Sequence, residues 1–378
     1  MAFDAVIIGG GPIGIAAGLA LSSLGYRVLI AEKREAAAPR DDRRILALSE
    51  GSRLILERLG VWQLLSNSTA ITEIRVSERG ALAPVTLRAS ECRVPALGHV
   101  TTFNDLSHAL AHKLQEHTNV QIRFGCTART ASMNAHAAEV ELNAQIREKI
   151  SAPLVIHAEG GAEPSQDASV KDYAQWAIVA QVWTQQPHLH RAHERFCESG
   201  PIALLPFEDH FALIWTVPAT QGDALISAQD DEFMRALSEA FGPWAGRFTR
   251  VSPRARFPLR LVVEPRGAQG RALRVGNAAQ QIHPVAAQGF NLGLRDIWAL
   301  RELLWKRPAD PGHPKILREF ASTRRWDRSQ SIRLTDALVG IFGSSHPAVR
   351  AGRTLALSSL ARFKPLRTAF ARHMMFGV

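Results

Sequence analysis

Residues 5–32 read AVIIGGGPIGIAAGLALSSLGYRVLIAE. Ala5-Val6-Ile7-Ile8 is a short apolar run, the pattern of a strand buried in a parallel sheet. Gly9, Gly11 and Gly14 follow in G-x-G-x-x-G spacing. Ile15 to Leu24 is rich in Ala and Leu and predicts a helix, with Gly25 suited to stop it. Arg27 to Ala31 predicts a second strand, closed by Glu32. The whole is a βαβ unit with a dinucleotide cradle. Gly9 permits the tight turn, Gly11 lets the backbone approach a pyrophosphate, and Gly14 lets helix and strand pack closely. The helix N-terminus offers N–H groups and partial positive charge to phosphates. Glu32 is placed to accept hydrogen bonds from the adenosine ribose. The spacing does not separate FAD from NAD. The 22 uncharged residues between Asp4 and Arg27 contain six glycines and Pro12, and no basic stretch precedes them. That argues against a spanning helix and a signal peptide.

Around this unit the chain has 378 residues, 46% hydrophobic and 21% charged. That composition excludes a disordered, collagen-like or polytopic membrane chain. The length suggests two or three domains. Cys92, Cys126 and Cys197 match no metal or redox motif, and their odd number argues against a disulfide framework. A reducing compartment follows, and with it a cytoplasmic location. Lys and Arg outnumber Asp and Glu by 45 to 35, a net charge of +10. From Arg318 onward there are eleven basic and three acidic residues, so the excess lies mostly in the last segment. Such a balance favours polyanionic partners. Nucleic acid is disfavoured: there is no zinc-ligand spacing and no RNP-like aromatic motif.

Apolar spacing from Ser52 to Leu65 and from Phe103 to Glu116 predicts helices. Ile71 to Val100, Asn119 to Phe124, Glu139 to Leu142 and Leu154 to His157 read as strands, as do Tyr173 to Thr184 and Ile202 to Val217. Trp176, Trp183, Phe207, Phe211 and Trp215 read as core of a separate sheet unit spanning about Gln166 to Arg260. A second glycine-rich region runs from Gly276-Asn277 through His283-Pro284 to Gln288-Gly289-Phe290-Asn291-Leu292-Gly293, and predicts a helix starting near Gly289 and ending at Leu304. Its N-terminus is a second anion site. His283 is more simply structural than a proton-transfer group. Arg43 and Arg44 read either as a solvated turn or as cations near a ligand.

These residues together resemble the FAD-dependent aromatic hydroxylases of the para-hydroxybenzoate hydroxylase type. Within them, the chain is most similar to the ubiquinone-biosynthesis branch, the 2-polyprenyl-6-methoxyphenol hydroxylases. The resemblance rests on Gly9 to Glu32, on Asp42-Arg43-Arg44 before Ala47-Leu48-Ser49, and on Gly276-Asn277 with His283 to Gly293. Tyr173 to Ala180, Glu194-Arg195-Phe196 with Gly200-Pro201, and Thr335 to Leu338 carry it further. It implies an α/β fold: a Rossmann-type FAD-binding domain (1–75, 100–165 and 266–310) with an inserted β-sheet substrate domain (76–99 and 166–265). C-terminal helices over 311–378 form a basic segment.

The resemblance also implies roles. Gly9, Gly11, Gly14 and Glu32 would hold the ADP half of FAD, and Arg44 would lie near flavin and pyrophosphate. Gly276 and Asn277 would contact ribityl and pyrophosphate, with Asn277 where most of the wider family has Asp. Pro284, Gln288, Gly289, Asn291 and Leu292 would wrap the isoalloxazine. No catalytic side chain and no metal are implied. Ala158-Glu159-Gly160 departs from the family's Asp-Gly motif, and an arginine that many relatives carry is missing near Asn104.

The implied activity is a monooxygenase. NAD(P)H docks transiently, since there is one cradle only, and a flavin C4a-hydroperoxide transfers oxygen to a polyprenylated phenol in ubiquinone biosynthesis. The implied partners are the phenol, O2, an anionic membrane surface at the inner face, and other enzymes of the pathway. The alternatives are a related flavoprotein hydroxylase or reductase with another substrate, and a non-catalytic lipid-handling subunit.

Overall fold

The apolar run at the N-terminus forms β1 (Ala5–Ile8), the glycine turn leads into α1 (Pro12–Ser22), and β2 (Val28–Ala31) returns beside β1. The computed structural model describes residues 2–36, 44–78, 84–160, 163–197, 199–307, 309–343 and 346–377. After the first unit come β3 (Ile45–Ser49), α2 (Glu50–Arg58), β4 (Thr69–Ile71), β5 (Glu73–Glu78), β6 (Val85–Arg88), the short α3 (Ala89–Cys92), β7 (Gly98–Thr102) and α4 (Phe103–Leu114). β8 (Val120–Arg123) precedes a meander of β9 (Thr127–Met133), β10 (Ala138–Asn143) and β11 (Arg147–Ala152), and then β12 (Leu154–His157). The central part consists of β13 (Ser169–Thr184), β14 (Arg191–Cys197), β15 (Gly200–Phe207), β16 (His210–Pro218), α5 (Ala219–Ser227), α6 (Asp230–Phe241), β17 (Phe248–Val251) and β18 (Ala255–Val263). The chain ends with β19 (Ala268–Gln269), β20 (Ala272–Arg274), β21 (Gln280–Gln281), α7 (Gln288–Lys306), α8 (Pro314–Gly343), α9 (Pro347–Arg362) and α10 (Lys364–Phe376).

Two sheets organise these elements. The first has the order β19-β20-β12-β1-β2-β8, parallel except for β19. Its one face carries α1, α4 and α7, and every residue of α1 but Ile13 is buried between sheet and helices. Its other face is covered by the meander, where Val6, Ile8, Leu29 and Val155 meet Ala138, Val140 and Leu142. A strand covered on both faces has no polar side to show, which is why β1 and β2 are uninterrupted apolar runs.

The second sheet has nine strands among the described residues, in the order β21-β18-β13-β16-β15-β14-β5-β6, with β17 paired to β13. Its outer face packs α5 and α6 around Ile178, Phe211, Trp215, Phe233 and Phe241. Its inner face meets a small sheet, β3-β7-β4, through Ala192, Leu205, Phe207 and Ala212 against Ile71, Val100, Ile45 and Ala47.

Several sequence-level expectations change. The helix expected to reach Leu65 ends at Arg58, because Gly60 turns the chain at a φ of 71°. β9 and β11 were hidden by their exposed, polar faces. Inside the block read as pure sheet, α5 and α6 form a helical cover, and α6 begins with a reciprocal Gln229/Glu232 capping box. The nine-stranded sheet also draws in β5 and β6 from 73–88 and β21 from the second glycine region, while β7 belongs to the small sheet. Asp42 and Arg43 lie outside the described residues. No helix among the described residues is long and apolar enough to cross a membrane.

Candidate active site

Gly9 ends β1 with a φ of 105°, where side chains are rarely tolerated. A Cβ on it would come within 2.9 Å of the Ala158 carbonyl oxygen at the end of β12. Gly14 lies so close above this turn that a Cβ would collide with the Gly9 oxygen. Gly11 is different. It caps α1 in ordinary extended backbone, and a Cβ there would meet nothing within 4 Å. Two of the three glycines thus serve packing. The third borders open space at the head of α1, where backbone N–H groups lack helical acceptors and the dipole favours anions. A pyrophosphate fits that cradle.

Glu32 follows β2 and is 3% exposed. It accepts from Gly10 N (2.7 Å), Arg34 N (3.0 Å) and Arg34 Nε (2.8 Å). Burial pushes its carboxyl up, but the hydrogen bonds from Arg34 and Gly10 outweigh this and hold it below the usual range. Its sequence-level role was ribose recognition alone; the structure adds a locking of the glycine turn. Arg34 shares the carboxylate and is half exposed, so it can yield to a ribose.

The second glycine region is joined to the first by one side chain. Ile13 packs against both Gly276, which has a φ of 56°, and Gly293 of α7; a Cβ on Gly293 would come within 2.8 Å of it. Asn277 lies beside Gly160, whose added Cβ would be 3.9 Å from the Asn277 Cβ. The 158–160 segment therefore meets the Gly276 turn next to Gly9. Glu159 leans back on His157 at 3.3 Å.

Pro284 opens a 3-10 turn over Val285–Ala287, and Ala287 enters α7 with a φ of 50°. A non-glycine residue in that region costs about 1–2 kcal/mol, a strain characteristic of functional turns. The side chains expected to wrap a flavin here are turned inward. Asn291 is 2% exposed and uses its whole amide: Nδ2 donates to the Ala47 and Ala287 oxygens, and Oδ1 accepts from Ser49 N and Ser52 Oγ. Leu292 is wholly buried. The Gln288 amide donates to Met374 O and accepts from Arg295. A ligand at this loop would therefore meet the backbone of Pro284 to Leu292, with Gly289 offering no side chain. Arg44 precedes β3, the strand that Asn291 braces, and its guanidinium lies 4.9 Å from the Phe103 ring centroid.

His283 is 1% exposed and its Nδ1 accepts from Val285 N. Burial holds its pKa down to about 4, so it is neutral and structural at physiological pH. Its Nε2 and the buried Gln280 amide have no partner among the described residues.

What the sequence reading missed is the anchor behind the loop. Asp296 on α7 has no exposure. It accepts from Gly276 N (3.2 Å), Arg324 Nε (2.8 Å) and Arg328 Nη2 (3.0 Å), while Asp327 pairs with Arg295 and Arg324. Burial alone would raise the Asp296 carboxyl; the two guanidinium groups more than reverse this and hold it low. A charged residue on the buried face of an apolar helix was the available signal.

Comparison with known proteins decides the cofactor. The profile of the FAD binding domain family matches residues 2–333. The chain belongs to this family. It is 29% identical to ubiquinone hydroxylase UbiL of Rhodospirillum rubrum over 385 residues, covering 98% of this chain and 89% of the relative. It is 28% identical to the 3-demethoxyubiquinol 3-hydroxylase of Escherichia coli over 374 residues, covering 95% of each. Among solved structures, p-nitrophenol 4-monooxygenase PnpA of Pseudomonas putida shares the fold with a TM-score of 0.79 at 16% identity, covering 100% of this chain and 98% of that one. This flavoprotein is thus an FAD-dependent monooxygenase among the hydroxylases of ubiquinone biosynthesis, and its cofactor is FAD.

Two predictions follow from this geometry. Gly11→Ala should leave the melting temperature of the FAD-free protein within a degree or two, yet weaken FAD binding measured by fluorescence titration. Gly14→Ala should lower the melting temperature with or without FAD, because the clash is with the protein's own backbone. An apoprotein equally damaged by both would contradict the open cradle. Separately, Asp296→Ala should destabilise the fold by about 3–5 kcal/mol in denaturant titration, since it strips the largely buried Arg328 of its counter-charge and leaves Arg324 to Asp327 alone. A loss under about 1 kcal/mol would show that the network is not the anchor.

Proposed function

We propose that this FAD-dependent hydroxylase acts on a polyprenylated phenol, using NAD(P)H as electron donor, and works at an anionic membrane surface. The observation that carries the substrate class is the apolar inner face of the nine-stranded sheet, formed by Ile74, Ala192, Leu205, Ala212 and Ile214, which packs on Ile45 and Ala47 of the strand braced by Asn291. The names of the relatives support the pathway. When bound, FAD supplies the redox chemistry: two electrons from NAD(P)H and one O2 give a ring hydroxyl and water.

The chain's own residues bind, orient and exclude. Gly11, on the turn that Gly9 and Gly14 shape, holds the ADP half together with Glu32, and Gly276 and Asn277 hold the middle of the cofactor. The first turn of α7 presents N–H groups and a positive dipole end to negative charge developing on the bound ring system. The apolar sheet face keeps water from the reacting carbon.

The C-terminal helices support membrane docking. Leu355, Phe363 and Leu366 are 70%, 58% and 49% exposed, and the exposed Arg350, Arg362 and Lys364 form no ion pair among the described residues. Not every basic residue of the segment is available. Arg367 forks onto Glu91 with two bonds of 2.8 Å, and Arg353 is buried on Glu78. These two fasten the helices to the fold. Each free cation near an anionic surface adds about 1 kcal/mol, and exposed apolar side chains can enter the headgroup boundary.

Two measurements test the proposal. FAD-loaded protein should oxidise NAD(P)H in response to a short-chain prenylated phenol, with matching appearance of a product one oxygen atom heavier. Oxidation that ignores the phenol and yields only hydrogen peroxide would contradict the substrate assignment. In flotation, the protein should bind anionic vesicles at low salt and neutral ones little. Changing Arg350, Arg362 and Lys364 to Glu should abolish the difference without changing the melting temperature.

A further inference from the structure

Strand β14 carries an acidic residue that nothing in the fold accounts for. Ala192 of this strand lies in the inner apolar cluster, and Phe196 stacks on Phe342 of α8 with ring centroids 3.5 Å apart. Side chains alternate along a strand, so Glu194, between them, points to the same inner face. Its neighbour Arg195 turns the other way, donating to Ala240 O of α6 and to Ser77. The residues beside Glu194 on the flanking strands are Ala203 and Val76. Neither side chain can hydrogen-bond.

Glu194 has no hydrogen-bond or ion-pair partner among the described residues. The side chain keeps part of its surface open although it lies deep in the protein, between β5, β15 and α8. Its carboxyl therefore borders a recess of the fold and not a packed interior. Charged groups on the elements packed around it are engaged elsewhere. On β5, Glu78 is held by Arg353. On α8, Arg324, Asp327 and Arg328 belong to the Asp296 network, Asp336 is held by Lys171 and Tyr173, and Arg333 is exposed. α6, on the other face of the sheet, is reached by Arg195.

A carboxyl alone on an apolar wall is costly unless a ligand uses it. We propose that Glu194 is the catalytic base that takes the phenolic proton of the substrate. This rests on the phenol reading above. The phenol O–H bond breaks and a carboxyl O–H bond forms. The electron pair left on the phenolate oxygen enriches the ring carbon that is oxygenated, and the oxidising equivalents remain those of O2 and NAD(P)H. When the ring regains aromaticity, the proton lost from the oxygenated carbon is balanced by one taken up at the former phenolate oxygen, and Glu194 returns its own proton to water. Burial, with no charge nearby to oppose it, raises the Glu194 carboxyl to about 7, well matched to a base working at neutral pH.

The raised value has a consequence for stability. The folded state keeps a proton that the unfolded chain loses near the usual glutamate value, so stability falls as pH rises between that value and about 7. Glu194→Gln should therefore melt higher than the wild type above pH 7, with the gap closing toward acid. A group that lowers stability in this way is characteristic of function rather than of packing.

The experiment uses FAD-loaded wild type, Glu194→Gln and Glu194→Asp with a short-chain prenylated 2-methoxyphenol. Bound FAD, read from the visible spectrum, and the melting curve establish that each variant is folded. The wild-type rate should rise with pH to a plateau above about 7, where Glu194 is ionised. Glu194→Gln should still bind the phenol, and lose roughly 100-fold or more in kcat with a smaller change in KM. It should also lose the acid limb of the pH profile. Glu194→Asp should recover part of both. If Glu194→Gln is folded and keeps the rate and the acid limb, the assignment is wrong. If the wild type hydroxylates no phenol at all, the substrate reading fails and takes this inference with it.

Discussion

The buried Asp296 carboxylate is the interaction on which the site's geometry depends. It holds the amide of Gly276 on one side and the guanidinium groups of Arg324 and Arg328 on the other. Through it, the turn after β20, the helix that starts at Gln288 and the long helix α8 are fixed relative to one another. An ion cluster in a dry interior gains little net stability over apolar packing, but it allows one arrangement only. That trade suits a site that must hold a large cofactor with little tolerance.

A second constraint is steric. Ile13 fills the space that Gly276 and Gly293 leave empty, and Gly14 rests directly on Gly9. Four glycines from two distant segments are therefore needed so that three backbones can converge on one point. The fifth, Gly11, is not needed for packing at all, and its emptiness is what distinguishes a binding role from a structural one. The flavin loop shows the reverse. Gln288, Asn291 and Leu292 direct their side chains into the protein, so what they offer a ligand is backbone held rigidly in place.

The nine-stranded sheet divides its labour between faces. The outer face is a conventional core under α5 and α6. The inner face carries the apolar cluster around Ala192, Leu205 and Ala212 and the unpartnered Glu194, and faces the small sheet that the flavin-side helix braces. The C-terminal helices divide similarly: Arg353 and Arg367 fasten them down, while Arg350, Arg362 and Lys364 stay in solvent beside exposed Phe363 and Leu366. Charge counting along the chain could not separate the fastening arginines from the free ones, because their carboxylate partners, Glu78 and Glu91, are some 275 residues away.

The βαβ unit from Ala5 to Glu32 and the second glycine region were legible in the chain because their physics is local: a tight turn, a helix start and a strand buried on both faces each leave a mark within a few residues. The same holds for Phe211 and Trp215 of β16, whose even spacing marks one face of that strand. Other features needed the tertiary structure. β9 and β11 each pair with β10, one on either side of it, and their polar composition hid them. The commitment of Asn291 to Ala47, Ser49 and Ser52 spans about 240 residues. The isolation of Glu194 is a property of the space around it, set by β5, β15 and α8 together. A residue's type says what chemistry it can do; only its surroundings decide whether water, a guanidinium or a substrate is there to receive it.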